Sequence, residues 1–186
     1  MKSRRSLVVF LAVFAYVTSV PMETDASVSV AVSLDDLARS ANGIARVTAL
    51  DAAPRWEDGR IVTYSRVRVD DVIAGNVARG AEIDLRTLGG IVDGIGQHVE
   101  GEAHFVRGRS SIVFLTGHTG VAAVVGRAQG QLAIVKGGDG REIVRRLDAG
   151  AIVLRGPRRL LASLDGRDFE SARAEIVRAW EVGHAR

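Results

Sequence analysis

Cysteine is absent from this chain of 186 residues. That excludes disulfides, a thiol nucleophile, cysteine-based zinc sites and the acylated cysteine of a bacterial lipoprotein. Proline is scarce too, three residues against 21 glycines, a balance suited to a meandering β-protein with many tight turns. Lys2 and Lys136 are the only lysines among 25 basic residues, and the rest are arginine. These arginines interleave with Asp and Glu, and the formal charge is only +3. No basic stripe with aromatics results, which argues against nucleic-acid binding. The longest apolar run, 7–20, is about 14 residues, short of the roughly 20 that span a bilayer.

What is present begins with a charged start at Lys2, Arg4 and Arg5, an apolar stretch, and small residues Thr24 and Ala26. Residues 1–26 therefore read as a secretory signal peptide, with no membrane span after its removal. Ser33, with Asp36 three later, caps a short helix whose apolar positions are Leu34, Leu37, Ala38 and Ala41. Asn42-Gly43 is expected to close it.

Residues 44–50 alternate as a first strand, and 51–60 read as a loop around the Asp58-Gly59 turn pair. Residues 61–73 form a long strand whose alternation breaks at Asp70-Asp71, the mark of a bulge. Residues 82–87 alternate again, 89–108 read as a glycine-rich connection, and 111–115 as a strand buried on both faces. Four further strands fit 121–125, 131–136, 142–147 and 151–154. Pro157 opens a turn holding Leu160, Leu161 and Leu164. Asp168 then caps a helix with Phe169, Ala172, Ile176, Val177 and Trp180 at helical spacing.

The expected fold is mainly β within the α+β class. Residues 27–186 would form one small OB-like, half-closed β-barrel, with a short N-terminal helix and an amphipathic C-terminal helix within about 157–183 packed on it.

The order SLDDLARSA, WEDGRIVTYSRVRVDDVIAG, RTLGG, GRSSIVFL and VVGRAQGQLAIV resembles an uncharacterised family of exported proteobacterial proteins, over roughly residues 33–136. More distantly, an early strand, a long strand ending VIAG and a later IVFL are similar to the netrin-like, tissue-inhibitor-of-metalloprotease group of OB barrels. That resemblance implies the barrel and an exported protease as partner. Its inhibitory amino-terminal cysteine has no counterpart in this chain, so that chemistry is not carried over.

Candidate sites are few. His98, Glu100, Glu102 and His104 in HVEGEAH suit a metal ion by residue type. In an extended strand, though, same-face neighbours stand about 6.6 Å apart and the histidines about 20 Å apart. One ion could take all four only if Gly101 folded the segment back. Trp56, beside the Asp58 turn, is either a recognition aromatic or a plug on the barrel end. Ser110 and Ser111 lack the frame of a nucleophile elbow, and no catalytic residue is assigned. The expected function is a binding or interaction module, periplasmic or extracellular, without a cofactor and not an enzyme. Its binding face would use 52–60 and 89–108. A metal-assisted hydrolase using the His98–His104 segment and a structural envelope protein are the alternatives.

Overall fold

The computed structural model describes residues 28–118, 121–147, 152–154 and 163–185. The expected signal peptide and the turn at Pro157, Leu160 and Leu161 lie outside the described residues. In chain order come β1 (Val28–Val30), α1 (Leu34–Ser40), β2 (Gly43–Glu57), β3 (Arg60–Gly75), β4 (Glu82–Leu88), β5 (Gly90–Val92) and β6 (Ile95–Gln97). Then follow β7 (Ser110–His118), β8 (Val121–Val124), a 3-10 turn (Arg127–Gly130), β9 (Gln131–Lys136), β10 (Glu142–Arg146), β11 (Ile152–Leu154) and α2 (Phe169–His184).

Both helix starts are as the sequence requires. The Ser33 hydroxyl accepts the Asp36 N–H at 3.1 Å, and the Asp168 carboxylate accepts the Ser171 N–H at 2.9 Å. Each satisfies a backbone donor that the helix leaves open. The end of α1 differs from expectation. Ala41 is the C-cap in extended conformation, and Gly43 already opens β2.

β2 also runs further than the sequence suggests. Residues 51–57 are strand, not loop, and pair with β3 up to Glu57↔Arg60 across the Asp58-Gly59 turn. Both turn residues have positive φ, 47° and 75°, the type I′ geometry whose twist matches a hairpin. Pro54 is tolerated there because β2 pairs with β7 only as far as Thr48; beyond it the strand is an edge, where a missing N–H costs little.

The main sheet is mostly antiparallel, in the order β10-β9-β7-β2-β3-β4-β8, and β7 pairs with β8 as well. Strands β2, β3, β4, β8 and β7 therefore curl into a near-ring and not a true barrel. The β4–β8 seam is parallel and only two residue pairs long, Asp84↔Val121 and Leu85↔Ala122. β9 and β10 continue outward from β7, so the sheet does not end where the ring closes.

The bulge expected at Asp70-Asp71 is present: the β2–β3 register slips between Arg46 and Val47, leaving Asp70 without a counterpart. A second slip skips Ile73. Adjacent Val72 and Ile73 consequently pack into different cores. Val72 joins the interior of the near-ring, with Val47, Val69, Leu85 and Leu115. Ile73 joins the layer between the outer sheet face and the helices, with Leu37, Phe114, Phe169 and Ile176. β7 serves both cores by alternation, Ile112 and Phe114 outward, Val113 and Leu115 inward. Its central residues are thus buried on both faces, as the apolar run demands.

Candidate functional site

Residues 89–108, expected as a bare connection, carry the β5–β6 hairpin and fold back over the β2–β3 ribbon. The hairpin turn is Asp93-Gly94, with φ of 51° and 79°. No apolar alternation announces it, since Gly90 and Gly96 occupy strand positions. Gly90 shows why. A Cβ there would stand 2.5 Å from Thr63 Oγ1 and 3.0 Å from Pro54 Cβ, so only glycine lets the hairpin lie this close to the ribbon. Two side chains lock the arrangement: Gln97 Oε1 accepts the Ile61 N–H at 2.7 Å, and Thr63 Oγ1 donates to the Gly89 carbonyl at 2.6 Å. Further along, Gln131 clamps the His104 backbone, accepting its N–H at 2.9 Å and donating to its carbonyl at 2.8 Å.

Between ribbon and loop lies a cleft of about 540 Å³. Its walls are apolar at Leu88, Ile91, Val99 and Phe105 and carry hydroxyls at Thr63, Ser65 and Thr87. A second cleft of about 500 Å³ lies on the other side of the β4 end and holds Glu57, Arg60, Arg86 and Arg127. Thr87, Leu88 and Glu102 border both.

The second cleft is organised by Glu57. Its carboxylate accepts the Tyr64 hydroxyl at 2.6 Å, Arg55 Nε at 3.0 Å and Arg86 Nη2 at 3.1 Å. The Arg55 guanidinium also lies 3.9 Å from the Tyr64 ring centre, a cation–π contact. The Tyr64 hydrogen bond, helped by Arg55 and Arg86, holds the Glu57 carboxyl below the usual carboxylate range. Glu102 is the opposite case. Burial pushes its carboxyl up, against the Ala103 N–H and the charges of Arg127 and Arg86.

The HVEGEAH residues are placed separately. The segment does turn at Gly101 (φ 73°), where the Glu102 N–H meets the Val99 carbonyl at 3.3 Å. His98 Nε2 lies 3.1 Å from Glu100 Oε1 with the imidazole 79% exposed. Glu102 faces Arg127 at 3.9 Å, and His104 is exposed on the cleft rim. Among the described residues, no three His, Cys, Asp or Glu side chains come together as metal ligands. Trp56 is 47% exposed and pairs with Ile61 near the ribbon tip. Asp58 sits in the tip turn beside the second cleft. Ile91 and Ile95 of the hairpin are also exposed. Ser65, Thr87 and the hairpin carry no local signal in the sequence apart from the glycines at 89, 90, 94 and 96.

No protein-family model, curated protein or solved structure matches the chain.

Proposed function

We propose that this chain is an exported binding module that holds a segment of a partner protein, and that it performs no chemistry of its own. The observation that carries the reading is the meeting of two remote segments. Ala52, Thr63 and Ser65 of the ribbon meet residues of the 89–105 segment, Ile91 among them, on one cleft, and Trp56 and Ile95 are exposed on the same two segments. Exposed aromatic and aliphatic side chains beside a concave, hydroxyl-bearing cleft are the usual anchors of protein recognition.

An OB-like barrel is the finer reading of the fold. It is supported by the pairing order of the near-ring, in which its first, second, third, fifth and fourth strands are neighbours in turn and the third–fifth contact is parallel. An exported protease is the partner class that the barrel resemblance suggests, a warrant by analogy of fold alone.

The test uses the chain as bait against the exported proteins of the bacterium that makes it. A specific partner is expected to be retained by wild type and by Val182→Ala, an exposed apolar site on α2, and lost with Trp56→Ala. Retention by Trp56→Ala equal to wild type contradicts the reading. If the partner is a protease, its activity in the presence of excess chain decides whether binding is inhibitory.

A further inference from the structure

The cleft has a charge pattern that narrows its ligand. In a chain with 25 basic residues, no lysine or arginine contributes to its lining, and Glu102 is the only carboxylate there. The Glu102 side chain is 12% exposed. A carboxylate offers about four acceptor positions; the Ala103 N–H uses one at 3.3 Å and the Leu88 N–H another, which leaves about two. Arg127 stands behind it at 3.9 Å, too far for a direct hydrogen bond. Ser65 supplies a second, independent observation. It is 2% exposed and lines the cleft. Its hydroxyl can both donate and accept, so it adds a neutral polar group to the lining beside Glu102.

We infer that the cleft takes the basic side chain, lysine or arginine, of a partner segment laid along the ribbon, with the Glu102 carboxylate facing its charge. Leu88, Val99 and Phe105 suit the aliphatic stem, which such side chains bury while their heads stay polar. Ser65 and Glu102 accept N–H donors from the head group. A cation is the matching charge: an anionic ligand would meet Glu102 with no lysine or arginine in the lining to offset it. This rests on the reading of the cleft as a protein-binding site, and it names the chemistry that the site selects.

The experiment titrates the purified chain with acetyl-Ala-Ala-Lys-Ala-Ala-amide, followed by NMR, beside the same peptide carrying norleucine in place of lysine. The lysine peptide is expected to bind saturably and at least tenfold more tightly than the norleucine peptide. Glu102→Gln is expected to erase that preference, while Arg60→Ala in the second cleft keeps it. Equal binding of the two peptides, no saturable binding, or an undiminished preference in Glu102→Gln overturns the inference. Should Glu102→Gln fail to fold, the lysine-to-norleucine ratio on wild type decides alone. n-Butylamine separates a free amine from a peptide: it is expected to bind more weakly, and binding as tight as the peptide's overturns the assignment to a protein segment. If Trp56→Ala abolishes partner capture while the lysine peptide is refused, the protein-binding reading stands and this inference falls.

Discussion

On one side of the β4 end, Thr87, Leu88 and Glu102 border a cleft without lysine or arginine; on the other, the same three residues border Arg60, Arg86 and Arg127. The difference comes from strand alternation in the ribbon. Arg55, Glu57 and Tyr64 point to one face and bond to each other, while Pro54, Ile61 and Thr63 point to the face that β5 covers. On the arginine-rich side Arg55 and Arg86 bond to Glu57. The other side carries one carboxylate, Glu102, backed by Arg127 at 3.9 Å, and the hydroxyls of Thr63, Ser65 and Thr87. Abundance of charge is therefore a poor guide to the binding face here; the proposed binding side is the one poor in charge.

The comparison can be broken most strongly in β4, the strand that carries Thr87 and Leu88 of the common wall. Leu85 is fully buried inside the near-ring beside the short β4–β8 seam. Leu85→Ala is expected to cost about 2–5 kcal/mol, read as a fall in denaturation midpoint, and to disturb both clefts together. Gly90→Ala should come next. The combination of φ 137° and the Thr63 and Pro54 contacts is expected to cost about 1–3 kcal/mol. Its damage should be confined to one cleft: amide exchange should accelerate in β5 and β6 while the Arg60 side stays protected.

A subtler difference lies in how the two carboxylates respond to pH. Glu57 is held low in the folded chain, so its contribution is present above the ordinary carboxylate pKa and is lost as pH falls through its folded value. Glu102 is held high, so the folded state binds its proton more tightly, and stability falls as pH rises from the unfolded value through the folded one. Melting temperature against pH should show the two signs. Glu57→Gln flattens the loss on the acid side, and Glu102→Gln flattens the loss on the upper side and leaves the chain no less stable at neutral pH. Smallest of all, Arg55→Ala removes one exposed partner from Glu57, which keeps Tyr64 and Arg86. Its effect on the denaturation midpoint should be the smallest of the set, as for an exposed ion pair, and peptide binding should stay unchanged.

Much of the scaffold is written locally, and the site is not. Ser33 and Asp168 announce their helices because capping is a short-range bond, and Asp58-Gly59 announces its hairpin because only certain residues take positive φ. The break at Asp70-Asp71 is legible as a change of alternation, and it marks where Val72 and Ile73 part into two cores. The outer half of β2 is hidden because Ala52, Ala53 and Pro54 are all largely exposed and carry no apolar alternation. The β5–β6 hairpin is hidden because Gly90 was selected for close approach, not for strand propensity. Trp56 and Glu102 were visible as residues, but their roles depend on which segments meet across the cleft. That meeting is fixed by Gln97, Thr63 and Gln131 through bonds between residues 26 to 36 positions apart, a distance over which no local pattern speaks.

The central claim is that binding occurs on the charge-poor side of the shared wall. A backbone amide shift map of the chain with the lysine peptide tests it most directly. The account predicts perturbations at Ser65, Thr87, Ala103 and Phe105, with Arg60, Val62 and Ala123 unmoved. Shifts concentrated at Arg60, Val62 and Ala123, or at the opposite end of the ring around Val77 and Ile83, would contradict it.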